Sequence, residues 1–417
     1  MNSNNKYRNK YCGEITIEDA GKTVRIGGWI NSIRNLGSLV FLTVRDESGI
    51  VQVISEESEK LSDLTRESTV TITGTVQKRS GNVNPNMKTG EIEIILDTIE
   101  VLGKCENVLP FEINRSKEAN EETRLKYRYL DLRNKDVHDK IVFRSKVVDF
   151  IRKTMKEMDF TEITTPIITG SSPEGARDFV IPSRNYHGKF YALPQAPQIY
   201  KQLLMVSGFN RYFQIAPCFR DEDCRADRTL EFYQLDLEMS FATDEDVYEV
   251  GEKVFYETFK NFTDKYVSPA PFRRISFKEA MLKYGCDKPD LRNPLIIQDV
   301  TQLFKDTEFN AFKGKTIKAI IVENGAEQGR KFFDKMEEYA KSNEVGAKGL
   351  AWTKIDESGE VVGGIAKFIT EDIKNELEKE YNEFIQEIIK LDPLSIINKT
   401  YEITLKQEIK DLYVGSD

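Results

Sequence analysis

Two strand-like segments joined by a densely charged run constrain the fold of this 417-residue chain more than any other feature. Residues 210–216 mix aromatic with β-branched side chains, and residues 233–241 alternate polar with apolar side chains. Such alternation is typical of a strand with two unlike faces. Leu235 and Leu237 share one face of the second strand, and Asp236 lies on the other. The pattern predicts a β-hairpin with one face for an apolar core and one polar face.

The connecting run, residues 220–232, contains three arginines and five acidic residues. Arginine suits a polyanion because its planar fork offers two parallel hydrogen bonds and keeps its charge. Beside the polar face of the second strand, this loop favours a pocket for a charged ligand. The alternative is a solvated hairpin, which most charge-rich turns form.

The composition is typical of a soluble globular protein, with 39% hydrophobic and 31% charged residues. No apolar run is long enough to span a bilayer, and residues 1–10 lack the apolar core of a secretory signal, so we expect a cytoplasmic protein. Five scattered cysteines and two histidines disfavour zinc, a disulfide framework and a histidine-based triad. The net charge of −9 is neutral evidence on nucleic acid, because that binding needs only local basic surface.

The first hundred residues contain short alternating runs separated by turn signals. Five strands and a helical stretch at 56–66 fit a small OB-fold barrel, which binds oligonucleotides by stacking bases on aromatic side chains. Phe41 is a candidate stacking platform, or else a core phenylalanine. The strand-like runs are residues 23–26, 39–44, 50–54, 70–76 and 91–95.

Familiar glycine-rich nucleotide loops are missing. Residues 21–23 and 314–316 have the Gly-Lys-Thr end of a P-loop, but neither has the required glycine five residues earlier. We interpret both as turns. Side chains on a sheet would therefore have to hold any nucleotide.

Several blocks resemble those of the bacterial-type aspartyl-tRNA synthetases, a family of class II aminoacyl-tRNA synthetases. A predicted helix over 138–158, followed by a strand that closes on Pro166, resembles motif 1, and the hairpin at 219–222 resembles motif 2. Further similar blocks lie at 172–179 and 191–204. The resemblance extends from about Tyr11 to about Tyr381.

This resemblance implies an α+β protein, with an N-terminal OB-fold barrel and an antiparallel-sheet catalytic domain that is incomplete and carries an inserted α+β module. It implies an aspartate–tRNA ligase that uses ATP and Mg²⁺ to join L-aspartate to tRNA(Asp) through aspartyl-adenylate. It also implies a homodimer built on the motif 1 helix, although a core-facing amphipathic helix has the same pattern. The expected parts are the anticodon-binding barrel (1–104), a hinge (105–135), the catalytic core (136–294), the inserted module (295–381) and an atypical tail (382–417).

The family's site residues map onto matching positions in this chain. Arg220 would be catalytic, bridging the α-phosphate and the substrate's α-carboxylate. Lys201 would meet the side-chain carboxylate, which favours aspartate over asparagine, although alone it also fits a solvated helix lysine. The aspartate site would comprise Glu174, Gln198, Lys201, Arg220 and Asp236. The ATP site would comprise Arg220, Asp221, Glu222, Thr229 and Phe232, and the anticodon site Arg34, Phe41, Gln52 and Glu91.

The chain departs from the family pattern at several places. Ala196 replaces a usual serine, and Thr229, Leu230 and Tyr233 alter the loop that would cover ATP. After Tyr381 we find no substrate-binding histidine, no metal-holding acids and no motif 3 arginine. We therefore expect a truncated form with no metal ligands of its own and impaired catalysis. A non-catalytic tRNA-binding paralogue and an asparaginyl-tRNA synthetase are the alternatives.

The tail beyond the inserted module has a different pattern. In residues 384–389 the apolar side chains recur at helical spacing, with two polar residues between them. Pro393 interrupts the pattern. We expect one or two amphipathic helical pieces there.

Overall fold

The computed structural model describes residues 4–58, 61, 63–172, 175–225, 228–293, 295–322, 325–356, 358–377 and 379, and the strand at 411–416. Its internal contacts divide the chain into two compact units, residues 1–142 and 143–417. No helix within these described ranges has both the length and the apolarity to cross a membrane.

A closed five-stranded barrel forms most of the first unit. All neighbouring strands pair antiparallel except β3 and β5, which pair in parallel. All five predicted strands are confirmed, and the observed strands extend beyond most of the alternating runs. In order around the barrel the strands are β1 (Thr23–Asn35), β2 (Val40–Asp46), β3 (Gly49–Ser55), β5 (Ile92–Gly103) and β4 (Thr69–Lys78).

The barrel closes around a core of alternate, inward-facing side chains. Val40, Leu42 and Val44 of β2 are all buried, so the residues between them face outward. Two glycines let neighbouring strands approach: a Cβ on Gly28 would lie 2.4 Å from the Arg45 carbonyl oxygen, and one on Gly74 would lie 2.2 Å from that of Ile95.

In the predicted helical stretch at 56–66, the described residues form turns, with Leu61 in a 3-10 conformation, rather than a continuous α-helix. Leu61 N donates to Ser58 O at 3.2 Å, and Leu64 N donates to Leu61 O at 3.2 Å. The Ser55 hydroxyl accepts from Glu57 N at 3.1 Å, an example of a short polar side chain competing with the helix for backbone groups.

Beyond the barrel, residues 105–135 carry a small apolar cluster of Phe111, Ile113 and Leu130. The carboxylate of Asp131 is fully buried and accepts from Arg124 Nε at 3.1 Å. Two short helices, α1 (Glu121–Lys126) and α2 (Arg128–Asp131), lead to the long α3 (Lys135–Glu157). The predicted motif 1 helix is therefore observed.

In the second unit, the charged run joins two antiparallel strands, β9 (Arg211–Phe219) and β10 (Glu231–Met239). The short β6 (Thr161–Glu162) adds to β9 in parallel. The apolar face of this sheet packs on two helical regions. Met155 of α3 and Met158 just after it contribute one part, and Val250 and Val254 of α5 (Asp244–Phe262) contribute the other. The other elements here are β7 (Val180–Pro182), β8 (Phe190–Ala192), α4 (Gln198–Val206) and α6 (Phe277–Tyr284).

The segment from 297 onward, where the inserted module was predicted, contains both strands and helix. Its core contains Val300, Phe304 and Phe312. The predicted helical piece at 384–389 lies outside the described residues, and residues 411–416 are a strand rather than a helix. The sheet runs β11 (Ile297–Asp299), β12 (Ile317–Ile321), β15 (Asp411–Ser416), β13 (Leu350–Ile355) and β14 (Val361–Gly363), with α7 (Arg330–Ala340) between β12 and β13 in the chain.

Candidate functional site

Four of the nine residues predicted for the aspartate and ATP sites lie on or against the polar face of the β9–β10 hairpin: Lys201, Arg220, Phe232 and Asp236. Asp236 pairs with Gln214, and Phe232 pairs with Cys218. Because directly opposed residues in an antiparallel pair share a face, their side chains project to the same side. The apolar side chains of β10 project to the opposite side, into the core. The predicted division into one apolar and one polar face is confirmed. The polar face carries Tyr212, Gln214, Cys218, Phe232, Gln234, Asp236 and Glu238.

Helix α4 places Lys201 over this face. Its Nζ lies 2.9 Å from Asp236 Oδ1 and 3.4 Å from Glu238 Oε2, and its side chain is 13% exposed. Burial alone would lower the pKa of Lys201, but the hydrogen bonds and charges of Asp236 and Glu238 raise it above the ordinary value. Lys201 is therefore a largely buried, ion-paired ammonium, which disfavours the alternative of a solvated helix lysine.

Asp236 keeps one carboxylate oxygen free. Its Oδ2 is buried and has no hydrogen-bond partner among the described residues. Beside it, the Tyr212 hydroxyl donates to Gln214 Oε1 at 2.9 Å, and Thr165 Oγ1 donates to the same oxygen at 3.0 Å. Burial and the neighbouring Asp236 charge raise the pKa of Tyr212. The Oδ2 of Asp236 is thus a buried acceptor that Lys201 does not use.

Arg220 stands where β9 ends and the charged loop begins. Its guanidinium lies 5.0 Å from the centre of the Phe232 ring. Its Nε is buried and lacks a hydrogen-bond partner in the part of the chain that the structure describes. Phe232 and Asp236 are four positions apart on β10, about 13 Å at the usual rise of a strand. One face therefore presents an arginine donor at one end and a lysine–carboxylate cluster at the other.

Gln195 holds the neighbouring loops together, a role that the sequence did not reveal. Its side chain is buried, donates to Ala176 O at 3.0 Å and accepts from Ala176 N at 3.2 Å. In addition, Asp221 N donates to Arg177 O at 3.0 Å. These bonds bring the 175–178 loop, the start of α4 and the charged loop together. The only signal for Gln195 was its place in the 191–204 block.

The other predicted substrate residues are more dispersed. Glu174 lies outside the described residues. Gln198 begins α4 and is half-buried. Asp221 is exposed, and the carboxylate of exposed Glu222 lies 3.9 Å from Arg228 Nη1. Exposed Thr229 donates its hydroxyl to the Glu231 carbonyl at 2.6 Å.

A second polar cluster lies on the outer face of the barrel. Gln52 Nε2 donates to Glu93 Oε2 at 3.0 Å, and Gln52 Oε1 accepts from Arg79 at 2.7 Å. Gln77 and the Ser80 backbone also donate to Glu93, which is 1% exposed. Glu93 is thus a central acceptor that the sequence analysis did not name.

The remaining anticodon candidates lie around this cluster. Phe41 is half-buried on the outer face of β2, paired with exposed Arg34 of β1 and with Ile54 of β3. This position disfavours the core-phenylalanine alternative. Glu91 is exposed just before β5, and only its backbone carbonyl bonds within the described residues, to Arg79 N at 2.9 Å.

Known protein families match parts of both units. Residues 24–102 match the OB-fold nucleic acid binding domain, and residues 120–399 match the class II tRNA synthetases (D, K and N). The aspartate–tRNA ligase of Streptomyces coelicolor is 50% identical over 380 residues, which cover 90% of this chain and 64% of that protein. The aspartate–tRNA(Asp/Asn) ligase of Rickettsia bellii is 51% identical over 385 residues, covering 88% and 64%.

Among solved structures, the asparaginyl-tRNA synthetase of Pyrococcus horikoshii complexed with asparaginyl-adenylate matches with a TM-score of 0.56. The match is 20% identical and covers 98% of this chain and 92% of that one. At this identity the likeness shows the fold alone.

The chain thus combines an OB-fold nucleic-acid-binding barrel with a class II synthetase domain, and the predicted α+β fold class is confirmed. It belongs to the class II tRNA synthetases of the D, K and N group. It spans 64% of the length of the two bacterial relatives.

Proposed function

We propose that this chain acts in the ATP-dependent attachment of L-aspartate to tRNA(Asp) through aspartyl-adenylate, the reaction of an aspartate–tRNA ligase. The observation that carries the proposal is the Lys201–Asp236 pair on the same sheet face as Arg220. The printed names of relatives about 50% identical to the chain support it.

The amino acid fits the lysine–carboxylate end of the face. An ammonium has three N–H donors, and Asp236 and Glu238 occupy two of those on Lys201, which leaves one for a substrate carboxylate. The free Oδ2 of Asp236 suits the substrate ammonium. A neutral asparagine amide would leave the lysine charge without this extra partner, so the site favours aspartate.

The nucleotide fits the arginine end. The substrate α-carboxylate attacks the α-phosphorus of ATP, and pyrophosphate leaves. The Arg220 fork reduces repulsion between these two anions, while the Phe232 ring supports the guanidinium. A 3′-terminal ribose hydroxyl of tRNA then attacks the activated carbonyl, and AMP leaves. No covalent enzyme intermediate is needed, so the residues act by positioning and electrostatic stabilisation.

Magnesium enters this proposal as the ion that accompanies ATP. Among the residues that the structure describes, no group of three histidine, cysteine, aspartate or glutamate side chains is arranged to hold a metal ion.

The barrel would read the anticodon of tRNA(Asp). Phe41 offers a half-exposed ring for base stacking, worth about 1–3 kcal/mol per base. Arg79 and Glu93 fix the orientation of the Gln52 amide, which can read a base edge. Exposed apolar residues on α3, including Ile141 at 53% and Phe143 at 51%, support a homodimer. The cytoplasmic location stays a prediction from the sequence.

ATP–pyrophosphate exchange tests the reaction. We expect exchange that depends on aspartate and is reduced at least tenfold by Lys201→Met, because the substrate carboxylate loses its partner. Exchange driven better by asparagine would favour the asparaginyl alternative. Tight tRNA binding without exchange under any amino acid would favour a non-catalytic tRNA-binding protein. The exchange rate also measures the impairment expected from the sequence.

A further inference from the structure

A long stretch of the second unit is free of acidic residues. Residues 179–220 contain no aspartate or glutamate, although 69 of the 417 residues in the chain are acidic. At that frequency a stretch of this length would contain about seven. Three of its five Lys and Arg side chains have structural or site roles: Lys201, Arg211 and Arg220. The other two, Arg184 and Lys189, lie in the loop between β7 and β8.

This loop has a defined shape. Ser183 N donates to Lys189 O at 2.9 Å, and Lys189 N donates to Tyr186 O at 3.2 Å. The Ser183 hydroxyl accepts from Tyr186 N at 3.2 Å. Gly188 has φ +73°, a conformation that residues with a Cβ adopt rarely. The loop therefore presents its side chains in a fixed arrangement.

The loop carries cationic and aromatic side chains that face solvent. Arg184, His187 and Lys189 are exposed, and Tyr186 is 59% exposed. Neither Arg184 nor Lys189 forms an ion pair with a carboxylate of the described chain. The Lys189 ammonium lies 5.8 Å from the centre of the Tyr186 ring.

The nearest carboxylate in the sequence does not offset this charge. Asp178 precedes β7 in the chain, whereas the loop follows β7. The Asp178 carboxylate accepts hydrogen bonds from Ser171 and Gln195. A net positive loop with an exposed ring combines phosphate attraction with a stacking surface, the two features that bind single-stranded nucleic acid.

The base of this hairpin is tied to the catalytic face. Ala192 exchanges two backbone hydrogen bonds with Thr169, at 2.7 and 3.0 Å. Two residues later, the Pro194 carbonyl accepts from Phe219 N at 2.9 Å, directly before Arg220. Lys189, at the end of the loop, is five residues from Pro194, about 17 Å of extended chain. The end of the loop is thus joined by a short strand to the point where Arg220 begins the charged loop.

We propose that the β7–β8 loop, residues 183–189, binds the sugar–phosphate backbone of an RNA strand near its 3′ end. Arg184 and Lys189 contact phosphates, and Tyr186 supplies a stacking surface. The identity of the RNA as the tRNA that receives aspartate rests on the proposed function, but the contact itself needs only an RNA strand. The rival partner is a second copy of this chain, seated on the exposed strand residues Val180 and Phe190, which are 58% and 59% exposed.

Binding of a labelled, unmodified tRNA(Asp) transcript to the full chain tests this proposal. We expect Arg184→Ala/Lys189→Ala to weaken binding about tenfold near 0.1 M salt and to reduce the slope of log Kd against log salt by about 1.5. The matched control Lys331→Ala/Lys335→Ala removes two exposed cations of α7 and should change Kd less than twofold. Tyr186→Ala should weaken binding and leave the salt slope unchanged.

Three further results separate the explanations. An unchanged Kd and salt slope in the double variant, with an unchanged circular dichroism spectrum, would overturn the proposal. A change in oligomeric mass without a change in RNA affinity would also overturn it, in favour of self-association. Aspartate-dependent exchange is measured on the wild-type chain in parallel. Its absence would overturn the proposed ligase reaction, while tRNA binding alone decides the role of the loop.

Discussion

Replacing Lys201 by methionine should loosen the catalytic hairpin. The variant leaves Asp236 buried, at 8% exposure, with one oxygen already unpartnered and the other deprived of its 2.9 Å partner. Breaking a buried ion pair by removing one partner costs about 3–5 kcal/mol. We expect the low end, about 3 kcal/mol, because the Lys201 side chain is 13% exposed and water partly screens the pair.

Hydrogen-exchange mass spectrometry on peptides covering β10 measures the opening free energy of this strand directly. In the wild-type chain, Lys201 has a higher pKa in the folded state than in the unfolded state. The ammonium therefore stabilises the folded state fully at any pH below the ordinary lysine pKa. The contribution is lost as the pH rises through the folded value.

Glu238→Gln is the matched control, because it removes the more distant partner of Lys201, a carboxylate 3.4 Å away and 32% exposed. Its effect on β10 should stay below about 1 kcal/mol. Equal protection of β10 in Lys201→Met and wild type would refute the reasoning. So would equal losses in both variants.

Three other predictions concern the barrel. Glu93→Gln should weaken tRNA binding about tenfold, because Gln52 loses its charged acceptor, while Glu91→Gln should have little effect; equal effects in a filter-binding assay would contradict this assignment. Phe41→Ala should cost about 1–3 kcal/mol of tRNA binding and little stability, whereas Leu42→Ala should cost about 2–5 kcal/mol of stability in urea unfolding; the reverse pattern would place Phe41 in the core. Burial alone would raise the pKa of Asp19, but hydrogen bonds from two lysines and the backbone hold it at about 2, so about 2 kcal/mol of barrel stability should be lost as the pH falls from 4 through 2. Asp19→Asn should flatten that acid dependence, and an unchanged pH profile would show that the carboxylate contributes little.

The sequence predicted the strands and the polar face of the hairpin because both follow from local alternation. Leu235 and Leu237 must face the core if Asp236 faces away, whatever the strand pairs with. The same reasoning failed at residues 56–66, where Ser55 and Ser58 take part in turns that compete with a helix.

Contacts between distant residues could not be read from alternation. Glu91 and Glu93 have the same parity, so their spacing cannot decide which one meets Gln52. The parallel pairing of β3 with β5, set by closure of the barrel, brings Glu93 to Gln52. In the same way, Gln195 holds the loops together because the 175–178 loop lies against it, a contact that the local pattern does not indicate. Predicting either contact requires the topology as well as the pattern.

Calorimetric binding of a non-hydrolysable sulfamoyl analogue of aspartyl-adenylate tests the central claim most directly, because it needs neither turnover nor tRNA. With Arg220 at one end of the face and Lys201 at the other, the aspartyl analogue should bind at least tenfold more tightly than its asparaginyl counterpart, and Lys201→Met should abolish the difference. Equal affinity for the two analogues in the wild-type chain, or a preference for the asparaginyl one, would contradict the account.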